Sequence, residues 1–249
     1  MSQQQQKAPE MRVITVSRQY GSGGGEVAAR LAQRLRWQLI DHEIVAQVAH
    51  TLGITQEEAE VHDEHVEGFI TRALNALQVA MPVMPVQPTT TVQDEQIFHE
   101  ALRQVVETSA QTGHVVIVGR TGQAILANRR DVLHLRIVAP LERRIAYVAR
   151  REGLDPAQAK ARIQMKDRDR ARYLQAQFNR DVNDPMLYDL IINTGVLDLE
   201  SAVDLALLAL ERKGAMLKVV TQELGPAAGM TAYPGHPADL RPPGSITGQ

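Results

Sequence analysis

Residues 12–32 read RVITVSRQYGSGGGEVAARLA, a strand-like run, a glycine cluster and a helix-like run in immediate succession. Arg12 to Ser17 is a short β-branched run that suits a buried strand. The glycine cluster interrupts it, and VAARLAQRL then sets apolar residues at helical spacing. Strand, glycine loop and helix in that order bring backbone N–H groups and a helix N-terminus together, where they can cradle an anion. Glycines suit that task because they let the backbone approach phosphate oxygens and adopt positive φ. A glycine-rich turn that simply joins a strand to a helix has the same pattern. A dinucleotide fingerprint fits poorly, since no G-x-G-x-x-G can be laid on these residues, and a mononucleotide loop fits the location better.

The same alternation continues outward along the chain. Short strands are predicted at 37–40, 114–118 (HVVIV), 132–138 (VLHLRIV) and 188–193 (YDLIIN). Helical patterns fall at about 42–51, 55–80, 94–112, 140–152, 156–177 and 198–213, each long enough to cross over a parallel sheet. The expected class is α/β, a five-stranded parallel sheet with helices on both faces. Three prolines in MPVMPVQPTTT mark a surface linker at about 81–93. Residues 1–10 are polar and Gln-rich, and Gly225 to Gln249 hold five Gly and five Pro, so poorly ordered tails are expected at 1–10 and 222–249, around one domain at 11–221.

Composition narrows the function classes. A chain of 249 residues permits one sizeable α/β domain with a small insert. There are no cysteines, which excludes disulfides, thiolate metal sites and cysteine nucleophiles. A formal net charge of −2 and the want of an aromatic stacking platform argue against a nucleic-acid partner. No apolar run is long enough to span a bilayer, and MSQQQQKAPE lacks the apolar stretch of a signal peptide, so no membrane partner and a cytoplasmic location are expected. The basic charge is segregated: Arg143 to Arg180 carries eleven Lys or Arg against four Asp or Glu.

Four blocks of the chain resemble the cytidylate kinase-like family, a variant branch of the P-loop nucleoside monophosphate kinases. They are RVITVSRQYGSGGGEVAARLA, then VVIVGRTGQAIL, then HLRIVAPLERRIAYVARREGLDPAQAKARIQMKDRDRARY, and finally YDLIINTGVLDLESAVDLAL. Together they cover most of residues 12–210 in the family's order. The resemblance implies a P-loop NTPase-type three-layer fold with the first strand central and an Arg-rich lid at about 153–182. It implies a small-molecule nucleotide as partner, ATP and Mg²⁺ as cofactors, and transfer of the γ-phosphoryl group to a nucleoside monophosphate, with CMP the leading acceptor. The oligomeric state is left open.

On this resemblance Gly21, Ser22, Gly23, Gly24 and Gly25 hold the donor phosphates, and Arg162, Arg168, Arg170 and Arg172 lie on the lid. Arg168 and Arg172, spaced i and i+4, share one helix face. A solvated, salt-bridged helix has the same charge pattern. Gly119 and Arg120 match a G-R-D motif whose arginine grips the acceptor phosphate, with Thr121 in place of the aspartate. Asp41 matches an acidic position that contacts the acceptor or a magnesium-bound water, and it equally suits an N-cap for a helix starting near His42.

The loop departs from the Walker A pattern, which ends G-K-[ST] with a lysine on the β/γ phosphates. Those positions are Gly24 and Gly25 here, with Glu26 next. Two replacements are open: Arg18 or a lid arginine supplies the cation, or Glu26 holds a metal ion against the phosphates. The alternative is a binding module that kept the fold and lost the chemistry. His62 and His65 stand three apart on a predicted helix, but without a third ligand a solvated acidic face is the stronger reading. Trp37 reads as core, and Tyr173 and Phe178 near the lid are candidate stacking residues.

Overall fold

Strand β1 (Val13–Arg18) is buried from Val13 through Ser17, as its β-branched run requires, and the rest of the fold is arranged around it. The computed structural model describes residues 10–41, 92–119 and 121–225. The predicted helices at 42–51 and 55–80, the linker through Thr91, His62, His65, Arg120 and the tails up to Pro9 and from Pro226 lie outside the described residues.

The glycine loop leads from β1 into helix α1 (Gly24–Leu35), then strand β2 (Gln38–Ile40). Helix α2 (Val92–Thr112) precedes strand β3 (Val115–Val118), and a single helical turn, α3 (Gly122–Ile125), separates it from strand β4 (Val132–Val138). Helices α4 (Leu141–Glu152) and α5 (Pro156–Phe178) follow. A 3-10 turn (Pro185–Leu187), strand β5 (Leu190–Asn193) and helix α6 (Leu199–Ala215) come next, and two 3-10 turns (Met216–Lys218 and Thr221–Glu223) end the order.

The five strands are all parallel in the order β2-β3-β1-β4-β5, so β1 is central. Its register pairs Thr15 with Ile117 on one side and with His134 on the other. Alternation along β1 feeds two cores. Ile14 and Val16 pack with Val27 and Leu31 of α1 and Val203 and Ala206 of α6 on one face. Val13 packs with Leu102, Val105 and Val106 of α2 on the other. Three layers result, with helices on both faces of the sheet.

Local chemistry sets the helix ends. Asp155 caps α5: its side chain accepts from Gln158 N at 2.8 Å, Gln158 Oε1 accepts from Asp155 N at 3.3 Å, and Pro156 starts the helix. Gly153, at φ 65°, ends α4 just before it. Asp155→Ala is expected to cost about 1 kcal/mol, read as a lowered urea midpoint with an unchanged slope. A midpoint equal to that of the parent chain would show that α5 is held by packing alone.

Candidate functional site

The glycine loop lies beyond the carboxyl end of β1, and its own side chains tie it down. Gln19 N–H donates to Ile137 O at 3.0 Å, and Gln19 Oε1 accepts from Ala139 N at 3.0 Å. Ser22 Oγ is placed to donate to Gln19 O at 2.9 Å or Ile137 O at 3.1 Å, and Thr194 Oγ1 lies 2.7 Å from Ser22 O. Ser22 is buried on these contacts, so it holds the loop to β4 and does not line the cleft described below. Gly21 has φ +79°, and a Cβ there would stand 2.7 Å from Val148 Cγ2. Glycine is what allows α4 to pack this closely under the loop.

Asp167, on α5, is the node that joins this loop to the basic segment. One carboxylate oxygen accepts from Tyr20 N at 2.7 Å, and the other accepts from Arg144 Nη1 at 2.5 Å. Arg170, one turn further on, lies 3.7 Å from Asp167, donates to Arg18 O at 3.3 Å, and stacks its guanidinium 5.4 Å from the centre of the Tyr20 ring. Burial lowers the Arg170 pKa from its ordinary value, opposed by Asp167. The Tyr20 hydroxyl donates to Glu152 at 2.6 Å, and burial together with that bond raises its pKa.

The face of α5 turned toward the loop carries Lys166, Asp169, Arg170 and Tyr173. Arg168 and Arg172 do share a face, as their spacing predicts, but they are exposed and do not line the cleft. Each stands two residues from Arg170, which on an α-helix is about 200° of rotation. Arg162 is also exposed and pairs with Glu152 at 2.5 Å. Glu26, considered above as a metal ligand, accepts from the Tyr147 hydroxyl and the Arg151 guanidinium. Burial raises its pKa, but those two bonds and the nearby charge outweigh that and leave it lowered. Among the described residues no three His, Cys, Asp or Glu side chains come together as a metal site.

A buried arginine that the sequence reading overlooked completes the picture. Arg136 is 5% exposed; its Nη1 donates to Ser17 Oγ at 3.1 Å and to the Tyr188 hydroxyl at 3.3 Å, and its Nη2 to Asn183 Oδ1 at 3.2 Å. Among the described residues no carboxylate pairs with it. The signal was present: His134 and Arg136, two apart in VLHLRIV, are the polar residues on one face of an apolar strand.

These elements enclose a cleft of about 730 Å³ at the carboxyl end of the sheet. Gly21, Gly23, Gly24, Gly25 and Glu26 form its loop side. Arg18, Asp41 and Gly119 line it toward β2 and β3, as does Ser17. Its position matches the rule that open parallel sheets bind ligands at the carboxyl ends of their strands. Among the described residues no helix is long and apolar enough to cross a membrane.

Comparisons with known proteins bear on the chain's family and on its fold. The sequence model of the cytidylate kinase-like family matches residues 13–196. A cytidylate kinase of Archaeoglobus fulgidus is 27% identical over 80% of this chain and 95% of its own length. A uronate isomerase of Corynebacterium glutamicum is 34% identical over 39% of this chain, a match that spans only 19% of that protein. Among solved structures, an uncharacterized protein from Eubacterium ventriosum superposes with a TM-score of 0.60 at 20% identity, covering 80% of this chain and 98% of that one, and so shares the fold.

Proposed function

Because the chain belongs to the cytidylate kinase-like family, we propose that it transfers the γ-phosphoryl group of ATP to a nucleoside monophosphate, with CMP the leading acceptor. The observation that carries this reading is a cleft lined together by the glycine loop, Arg18, Arg170, Asp41 and Gly119. In this reading ATP enters with Mg²⁺ and lays its phosphates along the loop. The acceptor phosphate sits at the end of β3, where Gly119 leads to Arg120, the residue proposed to grip it. An oxygen of the acceptor phosphate attacks the γ-phosphorus, the bond to the β,γ-bridging oxygen breaks, and ADP leaves with that electron pair. No side-chain nucleophile is required, and the protein contributes position and positive charge.

One observation favours a second reading, a nucleotide-responsive binding module without turnover: Gly24 stands where the Walker lysine belongs. ADP release from ATP and Mg²⁺ with a panel of nucleoside monophosphates, beside calorimetric titration of ATP alone, separates the two. Turnover with CMP or a neighbour supports the kinase. ATP binding without turnover supports the module, and neither result would discard both.

A further inference from the structure

Arg18 is the last residue of β1, and alternation turns its side chain to the same face as Ile14 and Val16, the face on which α1 begins. There its stem crosses the first residue of α1. A Cβ on Gly24 would stand 2.5 Å from Arg18 Cβ, closer than side chains pack, and 3.1 Å from Arg18 Cγ, a tight contact. The guanidinium continues to the end of β3, where a Cβ on Gly119 would collide with Arg18 Nη1 and lie 3.2 Å from Cζ. The main chain beneath it is fixed by the bond from Arg170 to Arg18 O. Two glycines that are distant in sequence are therefore bare along the path of one arginine. That path runs between the loop assigned above to the donor phosphates and the strand end assigned to the acceptor.

We propose that Arg18 is the phosphate-contacting cation of this site, taking over the role that a Walker A loop gives to the lysine after its last glycine. The inference rests on the nucleotide-kinase reading and deepens it. A lysine at 24 and an arginine at 18 need the same space, so the loop accommodates one cation or the other. The exchange also changes what the cation can do. Lysine is a point charge, whereas the planar fork of arginine can donate to two oxygens at once and so bridge the γ-phosphoryl group and the acceptor phosphate. Arg18 keeps its protons throughout; it neutralises the charge spread over the transferring oxygens while the bond to the bridging oxygen breaks.

The test moves the cation. Arg18→Met, Arg18→Gly, Gly24→Lys and the double variant Arg18→Gly with Gly24→Lys are compared with the parent for ATP affinity by calorimetry, for ADP release with CMP, and for thermal midpoint. Arg18→Met is expected to melt near the parent, bind ATP roughly 10-fold more weakly and turn over about 100-fold more slowly, the scale of losing one preorganised donor. Gly24→Lys alone is expected to lose both affinity and stability. The double variant is expected to regain roughly 10-fold in ATP affinity over Arg18→Gly, because the lysine then has room. Parent-like ATP binding and turnover by Arg18→Met would overturn the proposal, as would a double variant no better than Arg18→Gly. A parent that binds ATP without turnover still tests it through affinity. A parent that binds no ATP removes the kinase reading, and the proposal with it.

Discussion

Asp167→Ala is expected to lower stability by about 3 kcal/mol, because it removes one carboxylate from three partners at once. Arg144, only 9% exposed at its side chain and already carrying a buried Nε with no hydrogen-bond partner among the described residues, loses the carboxylate beside its Nη1. Arg170 loses its nearest negative charge, and the Tyr20 N–H loses its acceptor. Breaking a largely buried pair from one side strands the remaining charge, which costs more than the pair itself contributed. At a few degrees per kcal/mol for a domain of this size, the midpoint should fall by roughly 10 °C. Asp167→Asn separates the two components: its amide oxygen can still accept from Tyr20 N, but it carries no charge for the arginines. Recovery of about half the lost stability is expected. A melting curve for Asp167→Ala within about 1 kcal/mol of the parent would show that the node is not what fastens α5 to the loop.

The second large effect is a pH dependence that resides in His134. This ring is 6% exposed; its Nδ1 lies 2.8 Å from Thr15 Oγ1, and its Nε2 is buried with no hydrogen-bond partner among the described residues. Burial lowers its pKa from 6.5 to about 4; the negative charge of Asp189 opposes the shift and the positive charge of Lys213 adds to it. The unfolded chain takes up a proton at this residue as the pH falls through 6.5, while the folded protein holds it neutral until about 4. Stability is therefore unaffected by His134 above 6.5 and declines as the pH drops toward 4, by roughly 3 kcal/mol over the whole window. Urea midpoints between pH 7 and pH 4.5 measure this. His134→Asn, which keeps a polar atom near Thr15 and does not titrate, should flatten the profile. If it leaves the slope unchanged, the acid sensitivity lies in other groups.

The fold was legible because its signals are local and repeated. β4 was bounded at 132–138 by the apolar run itself, and the helical pattern at 156–177 placed α5 to within a residue of its observed end at Phe178. Helix α3 went unseen since four residues are too few to show a period. The site was legible in its loop, where glycines and their position after a strand speak directly to anion binding. It was less so in its charges. Sequence spacing says that Arg168 and Arg172 share a face, but not which face meets the loop, and that depends on what α5 packs against. Arg136 was hidden by its strand, whose apolar neighbours made it read as core. The crossing of Arg18 over Gly24 and Gly119 joins residues that only the folded sheet brings together.

The order of the strands also bears on how the chain is made. Val13 pairs with Val115 on one side and with Val132 on the other. Of the five strands β1 is made first and waits longest for a neighbour: about 100 residues, roughly 5–20 s of translation, separate its appearance from that of its first partner. Throughout that interval an apolar strand with two open edges is exposed in the nascent chain, a form prone to pair with other chains. Pulsed labelling of nascent chains arrested before and after residue 118 would find β1 unprotected in the shorter ones, and it would place the earliest gain of order at the arrival of β3.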